Sequence, residues 1–150
     1  MKLSTKGRYG LRALVDLALY SEEEPVSIQS IAKRQNLSES YLEQLVRKMR
    51  TAGLVVSVRG AGGGYQLSRP AEEISVGDVL RALEGNLDAV SCNANTEGCE
   101  GADLCVTKYV WARINESITH AVDSISIEQL LEESRKIRNK GQVCVQTCEK

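Results

Sequence analysis

Between about Thr5 and Leu19 the apolar residues Leu11, Leu14, Val15, Ala18 and Leu19 recur at three- and four-residue steps, which predicts an amphipathic helix ending in the acidic turn before Pro25. Ser27 can cap a second, short helix over Ile28 to Gln35. Asn36 and Leu37 then make a tight connection to Ser38, whose hydroxyl suits the N-cap of a third helix. In that third helix Leu42, Leu45, Val46 and Met49 form one apolar stripe, leaving Glu39, Ser40, Glu43, Gln44, Arg47, Lys48 and Arg50 on or near the solvent side. Gly53 stops it. Leu54 to Arg59 reads as extended, Gly60-Ala61-Gly62-Gly63-Gly64 as a turn and Tyr65 to Leu67 as a returning strand. Helix, turn, helix and β-hairpin in this order predict a winged helix-turn-helix.

Pro70 marks a break, after which Ser75 and Asp78 predict a capped helix running to Glu84 and stopped by Gly85. From about Asn86 to Leu104 the chain is rich in Gly, Asn and acidic residues with little apolar content, and it carries Cys92 and Cys99, with Cys105 directly after it. Beyond it Val106, Val110, Ile114, Ile118, Ala121 and Ile125 recur at helical steps along a long helix that also carries Trp111. Such a stripe needs a partner helix. Ser126 and Gln129 predict a second capping box, opening a last helix with Ile127, Leu130 and Leu131 inward. The expected fold class is thus mainly α with a small β-hairpin wing, a winged domain plus a long dimerisation helix. The expected divisions are a DNA-binding domain over 1–70, a connecting helix over 71–85, a cysteine loop over 86–104, the dimerisation and C-terminal helices over 105–138 and a flexible tail over 139–150.

Charge sharpens this picture. Residues 1–70 hold eleven Lys and Arg against six Asp and Glu, a balance of +5, while residues 71–150 hold eight against fourteen, a balance of −6. A basic N-terminal half can meet phosphate and an acidic C-terminal half stays off it. No apolar run approaches the roughly 20 residues of a membrane-spanning helix, so no membrane role is expected. Five cysteines clustered late, with Asp16 interrupting the one apolar stretch near the start, point to reducing cytosol.

On the third helix, Ser, Gln, Arg and Glu can pair with base edges in the major groove, with phosphate contacts supplying most of the affinity. Glu43 admits two readings. It can accept from cytosine N4 and so reject sequences lacking that donor, or it can pair with Arg47 at i+4, a contact worth about 0.2–0.5 kcal/mol. Arg59, at the base of the glycine wing, can enter an adjacent minor groove, whose negative potential favours guanidinium. No nucleophile–base–acid arrangement and no phosphate-binding glycine loop is evident, so an enzyme is not expected.

Cys92, Cys99 and Cys105 follow the spacing C-x6-C-x5-C. A four-cysteine zinc ribbon wants two closer pairs, whereas a small iron–sulfur cluster can span this spacing. Soft thiolates select zinc, copper(I) or iron–sulfur clusters, and spacing does not choose among them. Cys144 and Cys148 in the tail read as spare thiols. His120, alone in the long helix, reads as structural.

The start Met1-Lys2-Leu3-Ser4-Thr5-Lys6-Gly7-Arg8-Tyr9, the segment Ser38-Glu39-Ser40-Tyr41-Leu42-Glu43-Gln44-Leu45, the wing Val58-Arg59-Gly60-Ala61-Gly62-Gly63-Gly64-Tyr65 and the triple cysteine together resemble the IscR-type iron–sulfur cluster regulators of the Rrf-type winged-helix family, over about residues 1 to 130. The resemblance implies a homodimeric, cytoplasmic transcription regulator that binds a 2Fe-2S cluster through Cys92, Cys99 and Cys105. It implies an operator preference on double-stranded DNA set by cluster occupancy, and control of cluster-assembly genes. It also implies that Ser38, Ser40, Glu43 and Gln44 face bases while Arg59 enters the minor groove. IscR-type proteins usually supply a histidine three residues after the third cysteine, and here that position is Lys108. Relatives with an acidic ligand in the first helix would use position 8, which is Arg8. The fourth ligand is then a loop carboxylate such as Asp103 or Glu97, a tail thiol, or an exogenous thiol or water. Other signals acting on the same loop are nitric oxide, cysteine supply or thiol oxidation. A small electron-transfer protein is the alternative of another class, and it would need neither a basic helix nor a wing.

Overall fold

Ser4 Oγ accepts the Lys6 amide at 3.1 Å and opens α1 (Thr5–Tyr20), whose inner face buries Ala13, Leu14, Leu17 and Ala18. The structure is a computed structural model, and the residues it describes are 3–90, 99, 101 and 103–140. Ser27 caps α2 (Ile28–Gln35) by accepting the Ser30 amide at 3.2 Å, and Asn36 ends that helix in the left-handed region at φ 54°. Asn tolerates this conformation better than most residues, so the turn into α3 (Glu39–Thr51) is as tight as the sequence predicts. Leu42, Leu45, Val46 and Met49 of α3 are all buried, matching the expected stripe.

The wing is β1 (Val55–Val58) paired antiparallel with β2 (Gly64–Leu67), in a register that sets Val55 opposite Leu67 and Val58 opposite Gly64. β1 is shorter than the predicted Leu54–Arg59, because the Leu54 amide donates to the Met49 carbonyl of α3 and Arg59 turns into the loop, while β2 begins one residue earlier than predicted, at Gly64. Val26 exchanges two backbone hydrogen bonds with Tyr65, at 2.9 and 2.8 Å, so the segment between α1 and α2 flanks the hairpin. A 3-10 turn at Ala71–Glu73, absent from the sequence reading, leads to α4 (Val76–Glu84).

The Ser75–Asp78 capping box opens α4, and the Ser126–Gln129 box opens α6 (Ile127–Asn139). Val76 donates to the Ile125 carbonyl and Ile127 to the Ile74 carbonyl, each at 2.8 Å, which ties the two helix starts together. One core of α1, α2, α3, α4 and α6 side chains forms around Leu14, Leu17, Leu45, Ile74 and Ile127, all at or below 1% exposure. A second, smaller cluster sets Val76, Leu80 and Leu87 against Ile118 and Val122 of α5 (Lys108–Asp123).

Of the predicted stripe only Ile118 finds cover this way, and Ile125 at its far end is 40% exposed. Val106 is 78% exposed, Val110 52% and Ile114 37%, so within a single chain most of the stripe stays bare, with Tyr109 exposed beside it. The helix also begins at Lys108, later than the first residue of the predicted stripe, since Cys105 to Thr107 form a turn ahead of it. No helix among the described residues is long and apolar enough to cross a membrane.

Candidate nucleic-acid interface and thiol site

Two contacts fix α3 relative to α1. The Tyr9 and Tyr41 rings meet edge to face with centroids 6.3 Å apart, and the Tyr41 hydroxyl reaches Thr5 Oγ1 at 3.4 Å. Beneath them Asp16, 5% exposed, accepts from Arg34 Nε at 3.0 Å and Nη2 at 2.6 Å and from Gln35 Nε2 at 2.8 Å. Arg12 Nε closes the network on Gln35 at 3.2 Å. Hydrogen bonding to Asp16 raises the pKa of the Arg34 guanidinium. A buried carboxylate needs such partners, and here they lock the carboxyl end of α2 onto α1. The sequence reading took Asp16 only as an interruption in an apolar stretch.

On the face of α3 away from this support, Ser38, Ser40, Glu43 and Gln44 are all exposed. Ser38 Oγ accepts the Tyr41 amide at 3.2 Å, which leaves its hydroxyl proton and one lone pair to offer outward. Both Glu43 and Arg47 are exposed, and among the described residues no ion pair joins them. Lys48 differs from its neighbours: its ammonium donates to the Leu83 carbonyl of α4 at 3.2 Å. The periodicity could not show this, because the acceptor lies on a helix distant in sequence.

Arg59 follows β1 directly and is exposed. The turn beyond it is closed by Gly63 donating to the Gly60 carbonyl at 3.0 Å, with Gly60 at φ 118°. A side chain at Gly63 would put its Cβ 2.4 Å from the Val58 carbonyl oxygen, so only glycine permits this approach. The wing therefore presents a guanidinium on a narrow turn.

Of the three loop cysteines, Cys99 is exposed and Cys105 half-buried, while Cys92 lies outside the described residues, as do Glu97, Cys144 and Cys148. Cys105 Sγ shares a hydrogen bond of 3.2 Å with Thr107 Oγ1, and that bond, aided by the Lys108 backbone N–H, holds the thiol below the ordinary thiol range. A thiol biased toward thiolate is the form that binds soft metals. Asp103 is exposed, Lys108 lies 5.6 Å from the Tyr109 ring centre, Arg8 lies 5.9 Å from that of Tyr9, and His120 is exposed on the last turn of α5. Among the described residues no three His, Cys, Asp or Glu side chains converge as metal ligands. The donor chemistry of Cys99 and Cys105 fits an iron–sulfur cluster, two soft sulfurs accessible on either side of an acidic segment.

Asn115 anchors this segment. It is the buried polar residue of α5, and its Oδ1 accepts the Ala89 amide at 2.8 Å, a few residues before Cys92. On the far side of α4, Arg81 Nη2 pairs with Asp123 at 2.7 Å, which lowers the Asp123 pKa and joins α4 to α5.

Comparison with known proteins agrees with this geometry. The family described as Rrf2, iron-dependent transcriptional regulator, matches residues 3–133. The HTH-type transcriptional regulator IscR of Xenorhabdus nematophila is 47% identical over 131 residues, covering 87% of this chain and 79% of that protein. Its counterpart in Pectobacterium carotovorum is 45% identical with the same coverage. Among solved structures, CymR, the global cysteine regulator of B. subtilis, is 44% identical with a TM-score of 0.74, over 89% of this chain and 98% of that one. T. potens IscR is 47% identical with a TM-score of 0.72, over 89% of this chain and 88% of that one.

Proposed function

This chain belongs to the Rrf2 family of transcriptional regulators, not to an enzyme family, and from that premise we propose that it reads double-stranded operator DNA as a homodimer whose operator preference is set by a 2Fe-2S cluster. In this reading Ser38, Ser40, Glu43 and Gln44 of α3 meet base edges in the major groove, and Arg59 enters the flanking minor groove. Glu43 carries no ion pair with Arg47 that would occupy it, which favours its use as a filter for cytosine. The bare stripe positions Val106, Val110, Ile114 and Ile125, with Tyr109 beside them, support pairing with a second copy, because burying an exposed apolar surface is the ordinary driving force for such association.

Cys92, Cys99 and Cys105 would hold the cluster, in reducing cytosol, and the genes controlled would be those of cluster assembly. When bound, a cluster supplies an occupancy-dependent crosslink between thiolates that are otherwise separate. The chain's own contribution is to keep the thiols ready and tethered: Thr107 favours the Cys105 thiolate, and Asn115 fixes the chain entering the segment. The observation that carries the reading is that α4 packs both against the core that holds the recognition helix and against α5, the helix that follows the thiols. Cys92→Ala should abolish visible absorbance and alter operator choice while leaving the dimer intact in size-exclusion chromatography. Unchanged operator choice by that variant would count against the coupling.

A second reading has its own support in the likeness to a regulator described as the global cysteine regulator. Lys108 stands where IscR-type proteins usually supply histidine, so a thiol-directed signal on the same segment fits the residues as well. Electrospray mass of anaerobically purified protein separates the two, since a cluster adds iron and sulfide and a bare thiol does not.

A further inference from the structure

The last turn of α4 holds α1 and the recognition helix α3 at once. Glu84 Oε1 accepts from the Ser4 hydroxyl at 2.6 Å, the Gly7 amide at 2.9 Å and the Ser4 amide at 3.0 Å. A carboxylate thereby closes the amino end of α1, where unpaired N–H groups and the helix dipole favour negative charge. One residue earlier the Leu83 carbonyl accepts the Lys48 ammonium at 3.2 Å, a cation at the carboxyl end of α4. Lys48 belongs to α3, whose amino-terminal half carries the exposed residues proposed to read bases.

These contacts leave no slack. A Cβ at Gly7 would sit 2.7 Å from Glu84 Oε1, and one at Gly10 would sit 2.2 Å from Leu83 Cδ1. On its other side α4 is pinned to α5 by Arg81 and Asp123. Directly after Glu84, Gly85 leaves the helix at φ 83°, and the chain passes to Ala89, held by Asn115, and on toward Cys92. A shift at the start of the cysteine segment therefore reaches Gly85 within a few residues, and the two contacts beside it must either carry α1 and α3 along or break.

Resting on the reading that a thiol-bound cluster governs operator choice, we infer that Glu84 and Lys48 are the positioning pair that transmits the state of the cysteine segment to the recognition helix. The argument is mechanical: packed interfaces shift between discrete arrangements, and a contiguous set of stiff contacts carries the shift. Glu84 grips the helix behind α3 and Lys48 grips α3 itself. Both contacts lie at the edge of the core, so cutting either removes a directional polar tie between α4 and α1 or α3 while leaving their shared apolar packing in place.

The experiment measures operator affinity under anaerobic conditions for cluster-loaded and cluster-stripped protein and takes their ratio. In the wild type the ratio should depart from one by about fivefold or more, the lower end of usual allosteric couplings. In Glu84→Ala and in Lys48→Met it should fall to within about twofold of one, and Lys48→Arg should restore it. A wild-type ratio that survives unchanged in both variants overturns the relay while leaving the cluster reading intact. A wild-type ratio of one overturns the cluster reading and the relay with it, and is visible without any variant. Should Glu84→Ala fail to fold, the two Lys48 variants decide. Equal loss of affinity by Lys48→Met in both forms, with a shallower salt dependence, would make Lys48 a phosphate contact and remove it from the relay.

Discussion

Asn115 Oδ1 accepts the Ala89 amide at 2.8 Å, and so binds the chain entering the cysteine segment to the helix that leaves it. Thr107 and the first turn of α5 follow Cys105 directly, which means both ends of the segment are held by one helix. Replacing Asn115 with alanine leaves the Ala89 amide without this acceptor. The expected cost is about 1–3 kcal/mol of unfolding free energy in the metal-free protein, read from urea denaturation. Asn115→Asp keeps an acceptor and should recover most of it.

The Asp16 network makes a second prediction. Asp16 is 5% exposed and its partner Arg34 has a side chain 31% exposed, so removing the carboxylate strands a cation that still has partial access to water. Asp16→Ala should therefore destabilise by about 2–3 kcal/mol, below the full cost of breaking a wholly buried pair. A loss under about half a kcal/mol in chemical denaturation would show the network to be dispensable.

These two residues also mark where the sequence stops being legible. Ser27, Ser38, Ser75 and Ser126 were readable as helix caps because each bonds an amide three residues away, and the α3 stripe was readable because one helix face explains it. Asp16, Lys48, Glu84 and Asn115 find their partners on other elements, and no local spacing encodes an acceptor that only the packed fold brings near. The α5 stripe was legible as a pattern, yet most of it is left uncovered within one chain, since the pattern says that a face needs burial and not what buries it.

Glu84 should leave a signature in acid. Its hydrogen bond from the Ser4 hydroxyl, then those from the Gly7 and Ser4 amides, lower its pKa below the ordinary glutamate value. A carboxyl group lowered on folding contributes stability that is fully present above its unfolded pKa and is lost as pH falls through its folded pKa. Thermal midpoints should accordingly decline on the acid side of the ordinary glutamate range, and Glu84→Gln should decline less steeply there. Parallel pH profiles for the two proteins would show that the cap contributes nothing in acid.

Arg59 is predicted to matter for DNA and not for folding, as it is exposed on the wing turn. Arg59→Ala should lose about 1–3 kcal/mol of operator binding in fluorescence anisotropy, with an unchanged unfolding midpoint. Full-strength binding by that variant would take the wing out of the interface.

The most direct measurement of the central claim is anaerobic purification of the native protein followed by visible absorbance and by iron and acid-labile sulfide analysis. The account predicts coloured material holding iron and sulfide in equal amounts, with the colour lost in Cys92→Ala. Colourless protein free of iron would contradict it.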